Sequence, residues 1–188
     1  MYRITSLLLL TLLACSDRPP TTPETRPVEN PNAGNTALYD VDPEDPYEIG
    51  DRSFLDMQPG DAIADYPNLL RDSTLTTGDG TFTVYAIHGR NGEALGYLHP
   101  DPEDAGRIGH LVVTSADVVT EQGLRVGNSY AELVERMGEV DVHGSEAASR
   151  VYANQGPLYF LLNVANNQYD LDPSTIDPTV VISQIEIR

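Results

Sequence analysis

The chain of 188 residues has no tryptophan, no lysine, three phenylalanines and a single cysteine, Cys15. One cysteine excludes an intramolecular disulfide and a thiolate metal cluster. Without lysine, all eleven basic residues are arginines, and they face 29 acids for a formal charge of −18. Such a surface repels phosphate backbones and anionic lipid headgroups alike, so no nucleic-acid partner is expected. A carboxylate-rich, lysine-free composition is also what solubility in a salty habitat selects. No apolar run approaches the roughly 20 residues that a membrane-spanning helix needs. The glycine-flanked serine elbow of a hydrolase and a glycine-rich phosphate loop are both missing. Catalytic residues, metals and cofactors are therefore not expected.

What is present begins with the first fifteen residues. Arg3, the run Leu7 to Leu10 and then Leu12-Leu13-Ala14-Cys15 supply a basic start, an apolar core and small residues at a cleavage point. Ser16, Asp17 and Arg18 end the apolar stretch at once. The pattern resembles a bacterial lipoprotein signal, which implies removal of residues 1–14 and lipid on Cys15. Each buried methylene contributes about 0.8 kcal/mol and one acyl chain holds only marginally, whereas three chains would make attachment effectively permanent. Ser16 after the cysteine points to the outer membrane, by analogy with Gram-negative sorting. Residues 16–52 hold seven of the fourteen prolines, nine acids and three arginines. They read as a disordered acidic tether, because they cannot bury enough apolar surface to offset ordering entropy.

Residues 53–188 have the composition of one globular domain. The clearest helix opens at Ser129, with Glu132 completing a capping box. Tyr130, Leu133, Val134 and Met137 fall on one helical face, and Gly138 ends it. A second short helix is expected near Asp61, with Ile63, Tyr66 and Leu70 on one face, although Pro67 sits awkwardly in it. Strands are expected at 81–87, 94–98, 108–114, 150–153, 158–162 and 180–187. In the last, Val181, Ile185 and Ile187 should face one way, and Ile182, Gln184 and Glu186 the other. The fold class is α+β, a mostly antiparallel sheet with two short helices on one face.

A shift of 67 residues places Gly60 on Gly127, Ala64 on Ala131 and Val84-Tyr85-Ala86 on Val151-Tyr152-Ala153. The domain is thus a candidate tandem duplication, repeats 53–114 and 115–188, each a strand, a glycine turn, a helix and further strands. Gly60 and Gly127 are the expected structural turns.

His88, His99 and His110 recur every eleven residues, but no rule brings strand and loop positions at that spacing into one ligand set. They are expected as exposed or half-buried side chains. Acidic groups at Asp40, Asp42 and Asp45, at Asp101, Glu103 and Asp104, and at Asp170, Asp172 and Asp177 lack the ligand alternation of a calcium loop. They read as turn formers. Tyr97, Tyr159 and Tyr169 are candidate partner contacts, since a binding module needs an exposed apolar or aromatic patch. A small-ligand binder needs a concave pocket instead.

The run Ile108-Gly-His-Leu-Val-Val-Thr-Ser115, the turn Thr120-Glu-Gln-Gly-Leu-Arg-Val-Gly127 and the helix Ser129 to Gly138 resemble the sigma-E-regulated envelope lipoproteins. These are small Gram-negative lipoproteins of unknown function. The resemblance covers residues 105–188 and implies a lipidated leader, a glycine turn into an amphipathic helix and a closing strand at 180–188. The glycine-helix-glycine rhythm is also similar to the small lipoprotein of the outer-membrane barrel-assembly machine and to tandem-repeat β-lactamase inhibitor proteins, both binding modules. The expectation is a non-enzymatic envelope lipoprotein that binds a protein partner. The alternatives are a binder of a small ligand or peptidoglycan fragment, or a hydrolase with an unrecognised site.

Overall fold

The strongest local signal, the capping box, starts the only α-helix among the described residues. The Ser129 hydroxyl accepts from the Glu132 backbone N–H, and the Glu132 carboxylate accepts from the Ser129 N–H at 2.7 Å. Helix α1 spans Tyr130–Met137 and is closed by Gly138. The computed structural model describes residue 45 and residues 47–145, 149–166 and 168–188. The expected leader, Cys15 and most of the tether lie outside the described residues. No helix among the described residues is long and apolar enough to cross a membrane.

Among the described residues ten strands accompany α1: β1 Tyr47–Ile49, β2 Leu70–Thr77, β3 Gly80–His88, β4 Ala94–Pro100, β5 Ile108–Val113, β6 Val118–Thr120, β7 Asp141–Gly144, β8 Arg150–Gln155, β9 Leu158–Ala165 and β10 Ile182–Ile187. Eight form one antiparallel sheet in the order β2-β3-β4-β5-β10-β9-β8-β7, and β1 pairs with β6 in parallel. The protein is α+β but mostly β.

One face of the large sheet is the core. Leu98, Leu111, Val113, Phe160, Ile185 and Ile187 meet Tyr130 and Leu133 of α1, and Ile49, Phe54, Met57, Val118 and Leu124 from around the small sheet. Each large aliphatic side chain taken out of water there contributes roughly 1.5–3 kcal/mol.

Several expectations are corrected. Two helices were expected in the domain and one is present among the described residues; the segment at Asp61 is a single 3-10 turn, Ile63–Asp65, and a second 3-10 turn spans Pro173–Thr175. Pro67 bars further helix, and Leu70, expected on a helical face, opens β2 instead. Val134 is 39% exposed, so the buried stripe of α1 is narrower than its apolar spacing. The expected tether reached residue 52, yet Tyr47 and Ile49 are buried in the core and Arg125 reaches Asp45 at 2.5 Å. A bulge between Ile182 and Gln184 moves Ile182 to the core side with Ile185 and Ile187 and leaves Val181 exposed.

The sheet has an approximate two-fold relation across its centre. β2 to β5 form one half and β7 to β10 the other, each in chain order from edge to middle. The halves meet where Val113 pairs with Ile185, Val112 with Glu186 and Leu111 with Ile187. Gly60 and Gly127 both have φ of +97°, a conformation that favours glycine. Each N–H donates to the strand closing its own half, Gly60 to the Ile108 carbonyl at 2.7 Å and Gly127 to the Ile182 carbonyl at 2.8 Å. Ile108 and Ile182 answer by donating to the carbonyls of Asp61 and Asn128.

The single shift of 67 does not survive along the strands. Tyr97 pairs with Ala86 and Val112, and Tyr159 pairs with Asn154 and Glu186, so Ala86 corresponds to Asn154 rather than to Ala153. The two Val-Tyr-Ala triplets are one residue out of step. Val151 belongs to the core cluster and Val84 does not.

Candidate functional site: the open face of the sheet

Strand alternation sends every second side chain of the central strands away from the core. On this second face stand Tyr97 and His99 from β4, His110 and Val112 from β5, Glu186 from β10, and Arg150 and Tyr152 from β8. With Leu75, Phe82 and Arg188 they line a hollow of about 350 Å³. In a flat sheet β2 and β8 would be about 29 Å apart, at six spacings of about 4.8 Å. Their side chains share one hollow, so the sheet curves around it as twisted sheets do. Among the described residues no helix covers this face.

A polar chain crosses its middle. Glu186, only 4% exposed, accepts two hydrogen bonds from Arg188, at 3.0 Å from Nε and 2.6 Å from Nη2. The Tyr152 hydroxyl donates to the other carboxylate oxygen at 3.1 Å, and Arg150 in turn interacts with Tyr152. The Arg188 guanidinium lies over the Tyr159 ring at 4.3 Å, a cation–π contact. A carboxylate this buried is tolerated because its oxygens are matched by charged and neutral donors.

His99 and His110 are cross-strand partners, and their rings stack at 4.5 Å. Burial first and the neighbouring His99 second bring His110 down to about 4. His99 is lowered as well, first by burial, against the opposing pull of Glu186. Both rings are neutral at pH 7. Burial likewise raises Tyr97 and Tyr152, so both stay protonated donors.

The sequence-derived candidates fall as follows. Tyr97 and Tyr159 occupy equivalent positions of the two halves, flanking the central pair Val112–Glu186 on the open face. Tyr169, 65% exposed, stands beside His143, ring centroids 6.0 Å apart, and His143 also stacks on Tyr152 at 5.8 Å. Gly60 and Gly127 are turns tied to Ile108 and Ile182, and neither lines the hollow. Of the three regularly spaced histidines, two come together after all and His88 stays apart, its ring within 3.2 Å of the Gly92 carbonyl. Asp101, Asp172 and Asp177 accept from backbone N–H groups two residues on, the geometry of Asx turns and caps. No group of three or more potential metal ligands occurs among the described residues.

Arg150, Tyr152, Glu186 and Arg188 were not singled out from sequence. Their signal was the alternation of β8 and β10, where large polar side chains oppose aliphatic ones; a strand with an idle outer face needs no arginine or buried glutamate there. Two other depressions lack such convergence among their described lining residues: a groove of about 530 Å³ between Val134 and Ile176, and a hollow of about 220 Å³ between Gln122 and Gly156.

No protein-family model matches the chain, and no curated protein matches it significantly. A crystal structure described as the uncharacterized protein YfeY from Escherichia coli is similar over 67% of this chain and 85% of its own, with 14% identity and a TM-score of 0.42.

Proposed function

We propose that this chain is a lipid-anchored envelope lipoprotein of the outer membrane, and that its domain is a non-enzymatic binding module that captures its target on the open face of the sheet. The observation that carries this reading is the hollow itself, where Tyr97, His99, His110, Arg150, Tyr152 and Glu186 converge on one concave surface. Concave sites lined by aromatic groups with a few placed polar ones are the usual form of a small-ligand site. This geometry favours the small-ligand alternative over broad protein docking. A protein partner remains the second reading, because Tyr169 stands exposed beside His143 at the rim of the same face.

The paired halves, with their matched glycine turns, support an origin by tandem duplication of a strand, turn and four-strand unit. The lipid on Cys15 and the acidic tether would hold the domain near a membrane while its charge keeps it off anionic headgroups and nucleic acid.

The test has two arms in cells. Metabolic labelling with a fatty acid tags the wild type and leaves Cys15→Ala untagged; equal labelling of both removes the lipoprotein reading. A photo-crosslinking amino acid at Tyr97 captures a cellular component that the same group at the outer helix position Glu135 does not. Identical capture at both positions removes the open face as the binding surface.

A further inference from the structure

Resting on the reading of the open face as a binding surface, we propose that the hollow takes a small carboxylic acid with an apolar or aromatic body, its carboxylate held by Arg150. Two guanidiniums face the hollow and they are not equivalent. Arg188 is engaged by Glu186 through two hydrogen bonds and by the Tyr159 ring. Arg150 interacts with the Tyr152 hydroxyl and makes no ion-pair contact with a carboxylate among the described residues, Glu186 attracting it only from beyond that distance. A guanidinium presents five donors in a planar fork that matches a carboxylate, and one phenol oxygen leaves most of them available.

The surrounding charges permit an anion. Glu186 is compensated by Arg188, and Asp79 stands in the turn between β2 and β3, at the far side of the lining. His99 and His110 are neutral and offer N–H groups without charge. Tyr97 adds a hydroxyl that burial keeps protonated, while the Tyr152 hydroxyl is already given to Glu186. The opposite part of the lining carries the apolar groups, Leu75 and Phe82 of the outer hairpin, with Val112 between, and Thr77 and Asp79 stand at the tip of that hairpin; Phe82 is 43% exposed. One side therefore suits an acid and the other a hydrocarbon. At about 350 Å³ the hollow lies at the small end of ligand sites, which run from about 300 to 1,000 Å³.

The experiment titrates the full chain in lipid nanodiscs, with empty nanodiscs as the blank, using 4-phenylbutyrate and its neutral analogue 4-phenylbutanol at pH 7 by calorimetry. The acid should bind at least about ten-fold tighter than the alcohol, as a charge-assisted pair adds to the shared apolar contact. Arg150→Gln should erase that preference while leaving alcohol binding intact, which shows that the hollow still forms. Phe82→Ala, at an exposed hairpin position, should weaken both probes in parallel and serves if Arg150→Gln fails to fold. Equal affinities in the wild type overturn the carboxylate assignment yet leave the open face standing. An acid preference that survives Arg150→Gln overturns the role given to Arg150. Binding of neither probe also overturns the proposal, and crosslinking at Tyr97 then decides separately whether the face binds anything.

Discussion

His110 makes the open face sensitive to acid. Its folded-state value of about 4 lies below the 6.5 of an unfolded histidine. As pH falls through 6.5 the unfolded chain takes up a proton that the folded chain refuses. Stability therefore declines from about pH 6.5 to about pH 4 and levels off below, by on the order of 3 kcal/mol in all. Urea midpoints across this range should fall less steeply in His110→Phe than in the wild type, and parallel slopes would refute the assignment. His99, Glu186 and Arg188 face the same ring and stay unchanged in that comparison. Glu186 has a different role, since it ties Tyr152 to Arg188. Glu186→Gln should lower stability by about 1–2 kcal/mol in urea titrations, discounted from a fully buried pair because Arg188 is 43% exposed at its side chain.

At the scale of elements, the parts with a strong local code were legible. The capping box of α1, Gly138 at its end and the central strands β3, β4, β5, β8 and β9 all lie close to where pattern and turn chemistry put them. Ser129→Ala should cost about 1 kcal/mol, read as a lower urea midpoint with an unchanged slope. Gly60→Ala and Gly127→Ala should each cost about 1–3 kcal/mol, because both residues sit at φ of +97°. Unequal effects would show that the two turns are not equivalent supports. What pattern missed was β1, β2, β6 and β7. β2 and β7 are the edges of the large sheet, and edge strands carry polar residues that discourage further pairing, so they lack the apolar alternation that marks a strand. β1 and β6 are three residues each, too short for any period.

At the scale of the whole molecule, the two halves are interlocked twice. β5 and β10 join them at the middle of the large sheet, and β1 of the first half pairs with β6 of the second. Neither 45–114 nor 115–188 expressed alone should fold cooperatively, and mixing the two should restore the far-ultraviolet circular dichroism of the intact domain. A cooperative transition in either half alone would refute this dependence. The open face itself was only partly legible: Tyr97 and Tyr159 stood out as aromatic residues, but nothing in sequence placed them at matching positions.

The sequence by itself determined what depends on near neighbours or on composition: the lone cysteine with its lipoprotein-like context, the acidic surface, the capped helix and the two glycine turns. Tertiary structure alone decided which residues form the site. Arg150, His99, His110 and Glu186 come from four strands, and their meeting depends on registers, on the bulge after Ile182 and on the curvature of the sheet. Insertions in the loops change the offset between the halves from 67 at the glycines to 62 at Tyr97 and Tyr159 and to 74 at Ile108 and Ile182. A one-residue slip in a strand turns a side chain to the opposite face. No fixed spacing along the chain could therefore have said which side chains share the hollow.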